Sequence, residues 1–169
     1  MIKIYDFEKK YVGEAQKIAL SNYREECAFV PALPGFDKLP GLDGFAKDNS
    51  GVAAMDGDEL LGFFCWEGPL NNLFGLSKGM FSPVHAHGTV KQNRADVYDR
   101  LYRVAAEKLV SIDVFTHCVS LYEHDIEAND SFFQNGFGRR CVDAIRETTS
   151  FVAPVCEDII VISIQSDWR

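Results

Sequence analysis

Apolar and polar positions change period along the chain, and the changes mark its elements. Lys3 to Tyr5 alternates and predicts a first strand. From Glu8 to Phe29 the apolar residues Tyr11, Ala15, Ile18, Ala19 and Tyr23 recur at helical spacing, with Gly13 a weak point in that helix. Val30 to Ser50 then turns to Pro, Gly, Asp and Asn, including Pro31, Pro34 and Pro40, and predicts a loop with room for one short helical turn. A loop of that length is often functional in a small domain, and it is equally suited to a plain connection. Gly51 to Gly68 reads as a hairpin folded at Asp56-Gly57. Gly79 to Val90 reads as one further strand, in which Pro83 demands an edge position or a bulge.

The strongest helix runs from Asn93 to Ser111, with Val97, Leu101, Val104, Ala105 and Leu109 on one face. A short strand follows from His117 to Glu123. The stretch Asp125 to Arg140, DIEANDSFFQNGFGRR, predicts a short amphipathic helix. Ala128 and Phe132 lie on its apolar stripe with Phe133 beside them. Gly136 sits where a helix ends on a left-handed residue, and Phe137 is placed for the accompanying hydrophobic contact. Cys141 to Glu147 and Asp158 to Gln165 read as closing strands. The order predicts an α/β sheet with helices on its faces, and residues 1–169 as a single domain.

Composition narrows the class. Apolar residues make up 47% of the chain and charged residues 25%, as in a soluble globular protein. A formal charge of -8 argues against a nucleic-acid partner and leans toward cationic ligands such as amines. No apolar run reaches the roughly 20 residues of a membrane span. The five cysteines form no C-x-x-C pair, and no signal peptide opens the chain, so reduced thiols in the cytoplasm are expected.

The hairpin, the long helix, the strand and the small residue four before an aromatic ahead of GFG resemble the GNAT acetyltransferase superfamily. The match is best from Gly51 to Arg146. The resemblance implies a mixed, mostly antiparallel sheet that splays between its fourth and fifth strands, with acetyl-CoA entering the splay as co-substrate. It also implies a small primary amine as acceptor, and a homodimer or a tandem GNAT domain as partner. Carried onto this sequence, the cofactor residues are Val90, Lys91, Asn93, Arg94, Ala95, Asp125 and Phe132. The sequence departs from the family where the chemistry is densest. Asp96 and Tyr98 stand where the phosphate loop carries glycines, so Lys91 and Arg94 would have to supply the charge. Asp125 and Phe132 stand where many members carry the cofactor-binding Asn and the acidic Tyr, and Phe cannot donate a proton. The resemblance therefore implies either an N-acetyltransferase or a degenerate domain serving as the binding or structural half of a tandem or dimeric enzyme.

Four residues are candidates for proton transfer. His85 and His87, two apart in an extended strand, would share one face, and either imidazole could deprotonate an ammonium substrate. Glu67, at the end of the hairpin, is a rival base, and Tyr98 a substitute acid. The H-x-H pair has no third ligand at a recognisable spacing, so no metal site is expected.

Overall fold

A computed structural model describes residues 1–146. Four strands form a first sheet in the order β1 (Lys3–Asp6), β2 (Gly51–Asp56), β3 (Glu59–Cys65) and β6 (His87–Thr89), each pair antiparallel. A second sheet has the order β4 (Glu67–Leu70), β5 (Gly79–Ser82) and β7 (Thr116–Val119), with β5 and β7 parallel. Only Trp66 separates β3 from β4, and a turn over Pro83–Ala86 separates β5 from β6, so two chain segments pass from one sheet into the other. The crossing is held by Cys65 N–H donating to Ala86 O at 2.8 Å and by Ser82 Oγ donating to Cys65 O at 2.6 Å.

The single strand expected from Gly79 to Val90 is thus two strands in two sheets. Pro83 is the cause: it lacks an N–H for a ladder, and Ala86 N–H closes a turn on its carbonyl at 2.8 Å. A further correction concerns Cys141 onward, where residues 141–146 form no strand. The strand expected from Asp158 to Gln165 lies outside the described residues.

Alternation along β2 and β3 builds a core on each face. Val52, Ala54, Phe64 and Trp66 point toward α3 (Arg94–Val110) and α4 (Ile126–Gln134), where they meet Val97, Leu101, Ala105, Leu109, Ala128 and Phe132. Ala53, Phe63 and Cys65 point the other way, toward Val12, Ala15 and Ala19 of α1 (Val12–Phe29) and toward Leu42, just before α2 (Asp43–Lys47). Helices on both faces are the predicted architecture, and α2 is the helical turn expected inside the long loop.

The ends of α4 follow from its sequence. Asp125 Oδ1 accepts from Ala128 N–H at 3.1 Å and caps the first turn. At the other end Gly136 has φ 88°, Gly136 N–H donates to Phe133 O at 3.0 Å, and Phe137 N–H donates to Phe132 O at 3.1 Å. The rings of Phe132 and Phe137 meet edge to face at 5.2 Å, which completes the helix stop the glycine predicts.

Candidate functional site

The sheets part between β6 and the chain leaving β7. β7 pairs with β5 and not with β6, so beyond Ser82 the two segments diverge and β6 has β3 on one side only. This is the expected splay. Val90 N–H donates to Leu61 O at 2.8 Å and belongs to the β3 ladder, so by alternation the backbone groups of His87 and Thr89 face the opening.

Side chains of the protein itself occupy that opening. Asn22, on the buried stripe of α1, donates from Nδ2 to Thr89 O at 3.0 Å and accepts from Thr89 N–H at 3.2 Å. One carboxamide therefore completes the free edge of β6 as a neighbouring strand would. The approach is close because Gly88 has no side chain: a Cβ there would lie 2.8 Å from Asn22 Oδ1 and 3.1 Å from Ile18 Cγ2.

His87 bridges the splay. Its Nε2 lies 2.7 Å from Ser120 O and its Nδ1 lies 3.1 Å from the Tyr98 hydroxyl. A carbonyl only accepts, so Nε2 carries the proton and Nδ1 accepts from Tyr98. Burial depresses the His87 pKa to about 4, against the Ser120 hydrogen bond that raises it, so the ring is neutral near pH 7. Burial also raises the Tyr98 pKa. Phe132, 1% exposed, packs within 6.5 Å of the rings of Phe64, His87, Tyr98, Tyr102 and Phe137. The residue at the family's tyrosine position is the centre of an aromatic core.

A charged cluster lies where α3 begins. Arg94, at its first position, donates to Glu25 Oε2 at 3.1 Å and to Asp125 Oδ2 at 3.0 Å. Lys91 Nζ lies 3.5 Å from Glu25 Oε1. His124 pairs through Nδ1 with Glu26 and stacks on Phe29 with centroids 4.7 Å apart. Burial raises the Asp125 pKa, opposed by the Ala128 N–H and by Arg94. Asn93 adopts a left-handed conformation with φ 54° and makes no side-chain cap. Ala95 O accepts from Ser131 Oγ at 3.1 Å, tying α3 to α4, while Asp96 pairs along its own helix with Arg100 at 2.8 Å.

An acyl-CoA laid along β6 would have to displace Asn22 from Thr89, and its phosphates would have to separate Lys91 and Arg94 from Glu25 and Asp125. As arranged, the residues present do not fit the group.

The expected face shared by His85 and His87 does not form, because His85 lies in the Pro83–Ala86 turn rather than in a strand. It borders a separate cleft of about 720 Å³, lined by Pro40, Phe45, Asp48, Ser50, Trp66 and Glu67 among others. Burial lowers the His85 pKa, with the nearby Glu67 carboxylate opposing. The structure therefore sorts the four candidate acid-base residues into two places: His85 with Glu67 at the cleft, and His87 with Tyr98 inside the splay. Asn22, Glu25 and Glu26 went unrecognised in the sequence. Their signal was a polar residue continuing the Ala15–Ala19 stripe, at Asn22 and again at Glu26.

No family model and no curated protein matches the chain. Solved structures do. The chain is similar to the ribosomal-protein-alanine N-acetyltransferase of Brucella melitensis biovar Abortus 2308, at 11% identity over 88% of this chain and 100% of that one, with a TM-score of 0.61. It is similar to a predicted acetyltransferase of Clostridium acetobutylicum solved with acetyl-CoA, at 10% identity over 90% and 95% of the two chains, TM-score 0.57. The BH1408 protein of Bacillus halodurans aligns at 10% identity over 86% and 98%, TM-score 0.64. The chain has the GNAT fold. No helix among the described residues is long and apolar enough to cross a membrane.

Proposed function

We propose that this GNAT-fold domain does not itself transfer acyl groups and serves as the binding or structural half of a tandem or dimeric acetyltransferase. The observation that carries this reading is the Asn22 carboxamide seated on the Thr89 backbone, with a hydrogen bond in each direction. The edge where a pantetheine would bond is already satisfied, and a ligand must break two buried hydrogen bonds to reach it. His87, Tyr98 and Phe132 support the reading. The first two use their exchangeable hydrogen bonds on each other and on Ser120, and the third has no proton to give. A partner role draws on surface composition: Phe74, Leu76, Ile112 and Phe115 are each half exposed or more, on two loops joined by Phe115 N–H and Thr116 N–H donating to Lys78 O.

A second reading, an N-acetyltransferase that moves an acetyl group from acetyl-CoA to a small primary amine, has the cleft in its favour. His85 is kept neutral by burial beside Glu67, so it could take a proton from an ammonium group, and Asp48 and Glu67 would favour a cation there. Calorimetric titration of the 169-residue chain with acetyl-CoA separates the two. The first reading expects no saturable heat at millimolar concentration and no thiol release with an amine panel. Micromolar binding followed by amine-dependent thiol release establishes the second.

A further inference from the structure

Around Glu25 the donors outnumber the acceptors. Its carboxylate faces two nitrogens of Arg94 at 3.1 Å, Lys91 Nζ at 3.5 Å and His124 Nε2 at 3.9 Å. Arg94 and His124 are 8% and 9% exposed in their side chains, yet Arg94 Nε and His124 Nε2 have no hydrogen-bond partner. Immediately beside them α3, seventeen residues long, starts without a side-chain cap, so its first-turn N–H groups add positive partial charge to the same place. Lys91 is 71% exposed and marks where this cluster reaches solvent.

We propose that Glu25 and Asp125 are built-in substitutes for a diphosphate at the start of α3, and that Glu25 is the group keeping an external diphosphate out. A carboxylate offers one charge and two oxygens to this constellation. A diphosphate offers more of both, enough to reach Arg94 Nε and His124 Nε2 as well as the groups Glu25 already holds. The same α1 that closes the edge of β6 through Asn22 thus closes the anion site one helical turn later through Glu25, and the two closures form one autoinhibitory face. This deepens the reading of a closed acyl-CoA cleft and rests on it.

The test is binding of inorganic pyrophosphate at constant ionic strength, by calorimetry and by thermal shift, to the wild-type chain and to Glu25→Gln. Glu25→Gln removes the competing charge and keeps the shape. The variant is expected to melt below wild type without ligand, to regain that loss with millimolar pyrophosphate, and to bind it at least about tenfold more tightly than wild type does, on the scale of one displaced charge-assisted contact. Equal affinity in the two proteins, or a folded variant with no response, overturns the proposal. If Glu25→Gln does not fold, Glu25→Asp withdraws the carboxylate by one methylene while keeping its charge. Tighter pyrophosphate binding than wild type supports the proposal, and unchanged binding overturns it. Acetyl-CoA binding by the wild type would instead remove the closed-cleft reading itself, so the two failures are distinguishable.

Discussion

Replacing Asn22 by alanine probes the closure of β6 at its most exposed point in the argument. Asn22 is 5% exposed and makes both of its hydrogen bonds to Thr89. Alanine removes two hydrogen bonds worth about 1 kcal/mol each and leaves a buried N–H and C=O without partners, each costing about 1–3 kcal/mol unless water reaches it. With partial hydration of the vacated space, a loss of about 2–4 kcal/mol follows. For a chain of this length that corresponds to a fall in Tm of about 5–15 °C. Urea unfolding followed by far-UV circular dichroism measures it, with the midpoint moving and the slope unchanged. Asn22→Asp keeps the acceptor for Thr89 N–H, loses the donor and buries a carboxylate, so near neutral pH it should cost at least as much. A loss of less than about 0.5 kcal/mol for Asn22→Ala, the range of an ordinary surface substitution, would mean that water already satisfies the β6 edge. In that case α1 does not close the cleft.

Three further outcomes are expected. Gly88→Ala places a Cβ 2.8 Å from Asn22 Oδ1, so it should lift α1 from β6 and cost about 1–3 kcal/mol in the same unfolding assay. Phe132→Ala empties the centre of the aromatic cluster and should cost about 3–5 kcal/mol, whereas Phe133→Ala, at a position 40% exposed, should stay within about 0.5 kcal/mol. His87 gives a pH signature. Its folded pKa of about 4 lies below the ordinary 6.5, so between those values the unfolded chain binds more protons and stability falls as pH falls. From pH 7 to pH 5 that group alone should remove about 2 kcal/mol, and His87→Gln should flatten the profile by that amount. His85 and His117 are shifted in the same direction and remain in both proteins, so the difference isolates His87.

The fold was largely legible because its elements state their own ends and faces. The Val97–Leu101–Ala105–Leu109 face, the Asp56-Gly57 hairpin and the Gly136 stop each combine a periodic signal with a local conformational requirement, and each appears in the structure. The break between β5 and β6 was only half legible. Pro83 announces a disturbed ladder, but whether the strand bulges or changes sheet depends on where Trp66 turns the neighbouring strand, a tertiary fact. The extra strand β4 was missed for the same reason, since Glu67 to Leu70 has neither clean alternation nor length. The site was least legible. Asn22 and Glu25 lie more than sixty residues from their partners Thr89 and Arg94, and a polar residue on a helix carries no sign of which backbone it will meet. Asp125 was placed at the right end of its helix, but its pairing with Arg94 again joins distant segments.

Titration of the wild-type chain with acetyl-CoA, read by calorimetry and checked by thermal shift, bears most directly on whether this GNAT-fold domain has closed its own cofactor cleft. With Asn22 on Thr89 and Glu25 on Arg94, no saturable heat and no rise in Tm are expected at millimolar ligand. A micromolar dissociation constant with a matching rise in Tm would show an open cleft and contradict the reading.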